Sequence, residues 1–589
     1  MAKAELPGFP LPLDFYDYSY RATDRFPHVL QSTDIGDEYV RKLCTYREIL
    51  IMRVINSITD KPDWDLEVGE HKFMAATRNL ATGGLTIVFQ VFDEATTAKW
   101  RREIAASDKD ITPNMMNWIM DEVKWKAGTY SATGHVVVFD SGVVKSDTAI
   151  SGELQNALKE GVRILEDSLT EKDYHPGSDD KIADLVDPFL FPVVFDRTRA
   201  ISDYLIKLER FLDSIGHGTV LSDAHEHPWF SNRKQYSWEF QWLPCDVDLD
   251  NGLCAIVSYI NNLHPRQNAR LYRVIEKIIA QAIPLWNKTL SCTKRGYWRI
   301  GCPRAVEYGY SDSDYDSSED DPSRPVTVLK VPQLGNFFPP WFGSSEVVNL
   351  HKFQKTGLQI IVKLANIELT PEKPEYHGGS WYVQGQLYMQ NEHICASAIY
   401  YYDSDNITES TLAFRQRAFT DFAIWDYKEE TYQILQQIYG YPVGNYGSES
   451  MNVTQELGSV VTKKGRLLTF ANILQHRESP FSLEDRSRPG HRKILALLLV
   501  DPHLRIISSS NVPPQREDWA MEREMTIQQA LRSLPQELKD MVYAYLDSAY
   551  MTMEEAKGFR LRLIEERRSA AVTQNANFET ITLPRPELY

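Results

Sequence analysis

The sequence predicts an α+β fold in which a helix-rich N-terminal region and C-terminal helices surround an antiparallel β core. Three observations carry this. Apolar residues recur at helical spacing through much of the chain before the acidic stretch Ser311–Asp321. From Val326 to Val512 strand signals dominate, with apolar and polar residues alternating. Near the C-terminus, Ser533-Leu-Pro-Gln536 and Thr552-Met-Glu-Glu555 have the form of capping boxes. The implied organisation is an extended arm over 1–36, a mostly helical region packed on the core over 37–310, an acidic disordered loop over 311–325, the β core over 326–515, and helices with a polar tail over 516–589.

The arm is rich in Pro, Tyr and Asp and has no steady period. A helix is predicted from Asp37, because Val40, Leu43, Ile49, Leu50, Met52, Val54 and Ile55 recur at near-helical spacing until Thr59-Asp60-Lys61-Pro62 turns the chain. The stretch Glu67–Gln90, with Gly83-Gly84 and a β-branched run, interrupts this text before a charged helical pattern resumes at Phe92 and runs through Glu103. A surface hairpin and a translated retained intron both account for it. Thr112-Pro113 signals the cap and first turn of a helix over Asp110–Ala127, with Met116, Ile119, Val123 and Trp125 on its apolar face. Val136–Phe139 reads as a strand, and Glu153–Leu169 and Ala200–Ile215 carry helical spacing. Leu271–Trp286 is an amphipathic helix with Leu271, Val274, Ile275, Ile278, Ile279 and Ile283 on one face. The C-terminal helices run to about Arg568.

Composition narrows the function. The chain has 589 residues and a net charge of -17, from 64 Lys and Arg against 81 Asp and Glu. That balance argues against a nucleic-acid backbone as partner and favours a neutral or cationic small molecule. Six scattered cysteines without a Cys-x-x-Cys pair suit free thiols. The longest apolar run, Ile494–Val500, is too short for a bilayer, so a soluble cytoplasmic protein with no membrane partner is expected. The His225 and His227 pair before Pro228 lacks a recognised ligand spacing. The acidic stretch lacks the glycine and terminal glutamate of a calcium loop.

Two stretches, Pro374–Tyr402 and Gly465–Pro502, read as halves of one pocket. In each a glycine-punctuated turn leads into alternating strand text, interrupted by Tyr382, Gln384, His393, His476 and Arg492. A cage of antiparallel strands with inward-pointing polar residues suits a double-stranded β-helix of jelly-roll or cupin-like type.

The chain also carries a set of longer words: Thr59-Asp-Lys-Pro-Asp-Trp64, Val144-Lys-Ser-Asp147, His175-Pro-Gly-Ser178, Phe240-Gln-Trp-Leu-Pro-Cys-Asp246, Ser258-Tyr-Ile-Asn-Asn-Leu-His-Pro265, Gly378-Gly-Ser-Trp381, Tyr400-Tyr-Tyr-Asp403, Gln475-His476, Leu499-Val-Asp-Pro502 and Val512-Pro-Pro-Gln515. On these words it resembles the fungal family known as domain of unknown function 4246, related to the iron(II)/2-oxoglutarate-dependent oxygenases. The resemblance implies a double-stranded β-helix holding iron(II) by a His-x-Asp/Glu pair and a late histidine, three ligands that leave positions for a keto acid and oxygen. It also implies an arginine that grips the far carboxylate of 2-oxoglutarate. His476 and Arg492 match the late histidine and the arginine.

The early pair departs from the pattern. Where the family has His-Val-Glu-Gly after Gly-Gly-Ser-Trp, this chain has Tyr382-Val-Gln384-Gly385, and a short insertion follows around Leu387–Gln390. Three outcomes are open at this point. One is a metal-free tailoring enzyme of fungal secondary metabolism, an isomerase or cyclase with no cofactor, in which Tyr382, Gln384 and His476 are catalytic and Arg492 binds the ligand. Another is a working dioxygenase with iron(II) and 2-oxoglutarate, in which His476 is joined by His377, or by His393 with Glu392. The third is a non-catalytic binding protein.

Overall fold

The computed structural model describes residues 26, 44–60, 92–107, 110–221, 237–250, 253–294, 297, 299–300, 308–309, 328–329, 333–340, 347–381, 391–417, 438–440, 450–452, 454–530, 535–538 and 550–582. Glu67–Gln90, the histidines at 225 and 227, the acidic stretch Ser311–Asp321, and Ser533 lie outside them.

In chain order, the first part contains α1 (Tyr46–Thr59), α2 (Glu94–Ala106), α3 (Pro113–Thr133), β1 (Val136–Phe139), β2 (Val143–Ser146), α4 (Gly152–Ser168), β3 (Ile182–Val186), β4 (Cys245–Asp250), β5 (Leu253–Ile256) and α5 (Ala269–Lys294). The strand-rich part follows with β6 (Leu358–Leu369), β7 (Glu375–Tyr376), β8 (Ile394–Asp405), β9 (Thr411–Arg417), β10 (Thr454–Val461), β11 (Leu467–Ala471), β12 (Leu474–Glu478), β13 (Phe481–Ser482) and β14 (Gly490–Val500). Helices α6 (Glu517–Ala530) and α7 (Met553–Glu579) come last.

Local chemistry sets the helix starts. Thr112 accepts the Met115 N–H through Oγ1 at 3.3 Å, and Pro113 occupies the first turn, where its missing N–H costs nothing. Thr552 caps α7 by accepting the Glu555 N–H at 3.1 Å. Among the described residues the first helix begins at Tyr46, and the earlier part of the expected helix, 37–43, lies outside them. Thr45 and Glu48 form a reciprocal capping box there, with Oγ1 accepting the Glu48 N–H at 3.2 Å and Glu48 Oε2 accepting the Thr45 N–H at 2.9 Å. Helix α7 runs past Arg568 to Glu579. The helical spacing over Ala200–Ile215 yields only a short 3₁₀ turn, Leu208–Ser214, and Arg199–Ala200 pairs as a strand with Thr219–Val220. Long-range hydrogen bonds win there: Ile201 and Ile206 donate their N–H groups to the carbonyls of Asn511 and Ser510.

Nine of the described strands form one antiparallel sheet in the order β1-β2-β11-β8-β14-β6-β4-β5, with β3 also paired to β6. Its centre is long and in register, from Ile360 opposite Leu499 to Leu369 opposite Gly490. A smaller sheet has the order β10-β9-β12. Strands on both sides of residue 311 therefore contribute to the large sheet.

Strand alternation divides the side chains between two cores. Leu495, Leu497 and Leu499 of β14, with Tyr400 and Tyr402 of β8, face the α5 residues Leu271, Ile275, Ile278 and Ile279. On the other face, Ile399, Tyr401, Leu468, Phe470 and Ala496 pack with Leu412 and Phe414 of β9, Leu457 and Val460 of β10, and Leu474 of β12. The two sheets thus pack face to face over a buried layer of inward-facing residues, and the space between them is called the chamber. Among the described residues no helix is long and apolar enough to cross a membrane. Cys44, Cys245, Cys254, Cys292 and Cys395 are unbridged.

Helix α7 is held by charge. Arg567 pairs with Glu392 at 2.6 Å, and neither side chain is exposed to solvent. The carboxylate also accepts the Trp242 N–H at 2.7 Å, and the guanidinium lies 4.0 Å from the centre of the Trp242 ring. Nearer its start, Arg560 grips Asp173 at 2.6 and 3.0 Å. Removing one partner of a fully buried pair strands the other charge away from water. Arg567→Met is therefore expected to lower stability by about 3–5 kcal/mol in urea unfolding, with Glu392→Gln/Arg567→Met recovering part of the loss.

Candidate active site

The site begins with β12. Its side chains alternate: Leu474, His476 and Glu478 face the chamber, opposite Phe414 and Leu412 of β9, while Gln475 and Arg477 face away. The outward residues fix the strand from behind. Gln475 accepts from Arg415 at 2.7 Å and donates to Asn575 of α7 at 2.8 Å, and Arg415 pairs with Glu579 at 2.7 Å. His476 is fully buried, with its ring 4.7 Å from that of Phe470 and 6.3 Å from that of Phe414. Burial pulls the imidazole down to about 3, so the ring is neutral through the physiological range.

Arg492 enters from β14, on the same face as Ile494 and Ala496, and is fully buried. Its Nη1 donates to Ser410 Oγ at 2.7 Å and Thr462 Oγ1 at 3.2 Å. Its Nη2 lies 3.0 Å from Glu478 Oε1, too bent for a good hydrogen bond, so the attraction is chiefly coulombic. The other Glu478 oxygen accepts the Tyr376 hydroxyl at 3.1 Å. The guanidinium stacks 4.5 Å from the Phe481 ring centre and 5.6 Å from that of Tyr401. Burial, with the Glu478 charge, holds the Tyr376 phenol above its usual range, and burial does the same for Tyr401. The Tyr401 hydroxyl and Arg492 Nε make no hydrogen bond to a described residue. Both are buried polar groups whose hydrogen-bonding capacity is unused among the described residues.

The glycine turn before this chamber is tied to β12. Gly378 has φ +78, and a Cβ there would meet the Glu478 carbonyl oxygen at 2.6 Å, so only glycine suits the position. Gly379 donates to the same carbonyl at 3.2 Å. Trp381 lies between two guanidinium groups, Arg415 and Arg477, each 4.6 Å from its ring centre. The next residues, including Tyr382 and Gln384, lie outside the described residues. His377 is exposed. His393 is half-buried with φ 44, its backbone carbonyl accepting the Asp501 N–H at 2.9 Å. Glu392 is committed to Arg567 and Trp242.

The residues expected to complete an iron(II) site with His476, at 382 and 384, lie outside the described residues. Positions 382 and 384 carry a neutral phenol and a neutral amide, poor ligands for this ion. Among the described residues the set of His, Cys, Asp and Glu side chains close enough to share a metal is His175, Asp184 and Asp187, which does not include His476, His377 or His393. That cluster is already neutralised. His175 Nδ1 lies 2.9 Å from Asp184 Oδ2, Lys363 is 3.1 Å from Asp184 Oδ1, and Arg560 is 3.6 Å from Asp187 Oδ2. Burial and the Asp184 charge push the Asp187 carboxyl up to about 6. The arrangement ties β3 and α7 to β6.

The sequence singled out His476 and Arg492, which the structure buries between the two sheets, but not Glu478, Tyr376, Ser410, Thr462 or Tyr401. Glu478 had a usable signal, since it stands two residues after His476 and must share its face in a strand. Ser410 and Thr462 border strands paired only in three dimensions and had none. The buried neutral histidine has a measurable consequence. Below about pH 6.5 the unfolded chain protonates this ring while the folded one does not until about 3, so stability falls as pH drops through that window. His476→Phe removes that slope. Between pH 6.5 and 4 the stability of the variant relative to wild type, read by urea unfolding, is expected to rise by about 3 kcal/mol. A pH-independent difference would contradict the assignment.

A family model described as Protein of unknown function (DUF4246) matches residues 113–523, and one described as Domain of unknown function DUF4246, N-terminal, matches residues 6–78, reaching into the Glu67–Gln90 stretch. No curated protein matches the sequence. Solved structures that match include IDO from Bacillus thuringiensis, 8% identical, covering 64% of this chain and 94% of that one, with a TM-score of 0.22. A bsmA homolog from Methylobium petroleophilum PM1 is 10% identical, covers 64% and 92%, and has a TM-score of 0.25. The Fe(II)/α-ketoglutarate-dependent dioxygenase TqaL is 9% identical, covers 68% and 96%, and has a TM-score of 0.23. Likenesses this distant assign no chemistry. The longer family match spans well over half of the sequence and includes both halves of the chamber, and the chain belongs to the DUF4246 family.

Proposed function

We propose that this chain is a small-molecule enzyme built on a double-stranded β-helix, with a chamber that works by hydrogen bonding and proton movement rather than through an iron centre. The order in which the chain visits the two sheets supports the fold: β6 and β8 in the large one, β9 and β10 in the small one, then β11, β12 and β14 by turns. The observation that carries the chemistry is the surroundings of His476, a fully buried, neutral imidazole between phenylalanine rings, in a chain whose early ligand pair is Tyr382 and Gln384.

An imidazole whose conjugate acid lies near 3 is a weak base. It suits hydrogen bonding to a substrate carbonyl or hydroxyl better than taking a proton from an unactivated carbon. Tyr401, with a phenol held protonated by burial, is a second neutral donor on the chamber wall. The reaction class that fits is isomerisation or cyclisation of a substrate whose own carbonyl makes the migrating proton acidic enough for the neutral His476 ring to accept it and return it to another atom of the substrate. A tailoring step in fungal secondary metabolism, in the cytoplasm, is the setting we infer from the family resemblance.

Metal analysis after anaerobic loading with iron(II), combined with an assay for succinate from 2-oxoglutarate, tests this. Wild type is expected to hold no stoichiometric iron and to form no succinate. Tyr382→His/Gln384→Glu is expected to gain iron binding that depends on His476. Stoichiometric iron with succinate formation in the wild type would overturn the proposal.

A further inference from the structure

We propose that Glu478 is a built-in carboxylate that occupies Arg492, so that the chamber takes uncharged small molecules and turns away free carboxylates such as 2-oxoglutarate. This rests on the non-oxidative role proposed for the chamber and names what that chamber selects. A guanidinium and a hydroxyl donor are the groups a bound carboxylate needs. Both are here, and Glu478 uses them, with Oε1 at 3.0 Å from Arg492 and Oε2 at 3.1 Å from the Tyr376 hydroxyl.

Glu478 holds the arginine incompletely but from a fixed place. Arg492 Nε makes no hydrogen bond to a described residue, so an external carboxylate spanning Nε and Nη2 would bond more fully than Glu478 does. Glu478 has the compensating advantage of being tethered, because it loses no translational freedom on binding. Its backbone is held as well, with its carbonyl accepting the Gly379 N–H at 3.2 Å and lying against Gly378. The Glu478 side chain is 10% exposed and Arg492 is 0% exposed, so loss of the glutamate leaves a buried cation that only an entering anion can compensate. The ligand class revealed by removing Glu478 is therefore a small mono- or dicarboxylate.

The experiment follows thermal unfolding and calorimetric titration of chelator-treated protein with 2-oxoglutarate, succinate and acetate. In wild type none of the three should shift the melting temperature. Glu478→Ala should melt lower, recover with added carboxylate, and bind 2-oxoglutarate at least about tenfold more tightly than wild type. Glu478→Ala/Arg492→Met should show no recovery. Glu478→Gln, nearly the same shape, provides the same titration should the alanine variant fold poorly. Wild-type binding as tight as that of Glu478→Gln, or equal recovery in the double variant, would overturn the proposal. Because metal is removed throughout, the titration reads Arg492 alone. Iron found at His476 would sink the proposed chemistry and leave this result standing.

Discussion

The buried pair of Arg492 and Glu478 is the constraint around which the chamber is arranged. Arg492 comes from the large sheet and Glu478 from the small one, so the pair clasps the two layers together. Ser410 enters just before β9 and Thr462 just after β10, and both take the same guanidinium. Tyr376 from β7 closes the far side of the carboxylate. A lone charge in this place would be costly, and each of these groups lowers that cost. The burial that keeps His476 neutral is compatible with Arg492 because the partner of the arginine is part of the same chain.

The back of the small sheet shows how the position of His476 is secured. Asn575 and Glu579 of α7 hold Gln475 and Arg415, cross-strand neighbours facing away from the chamber. Trp381 is gripped between Arg415 and Arg477 on the same outer side. The C-terminal helix thus acts on the site through outward residues, while its own anchor, Arg567, is a buried charge satisfied by Glu392. Architecture and chemistry lie on opposite sides of one strand.

Much of the fold was legible in the sequence because its signals are local. The proline and threonine at the start of α3, the threonine before α7 and the apolar face of α5 act within a few residues of themselves. The 3₁₀ turn at Leu208 was not legible, because backbone bonds to residues 510 and 511 decide it. Nor was the joining of β2 to β11, where Val143 pairs with Phe470. The words shared with the family prove to be largely structural. Asn261 and Asn262 donate to the carbonyls of Leu190 and Asp187, Gln515 to those of Phe191 and Pro192, and Asp147 accepts from Arg466 at 2.7 Å. Such bonds keep the framework intact. In the site, His476 and Arg492 were found by their place in strand text. Glu478 shares the face of His476 by strand alternation, but its partners Arg492 and Tyr376 come from other strands and are joined to it only in three dimensions.

Glu478 partners Arg492 from within and His476 is a buried neutral ring beside Phe470 and Phe414, a pairing that we propose keeps out both 2-oxoglutarate and iron(II). An anaerobic titration with iron(II) and 2-oxoglutarate, watched for the visible charge-transfer absorption that arises when a keto acid chelates iron(II), tests both halves at once. No such band is expected for the wild-type protein at any ratio of the two. A band that grows in and saturates at stoichiometric iron would contradict it.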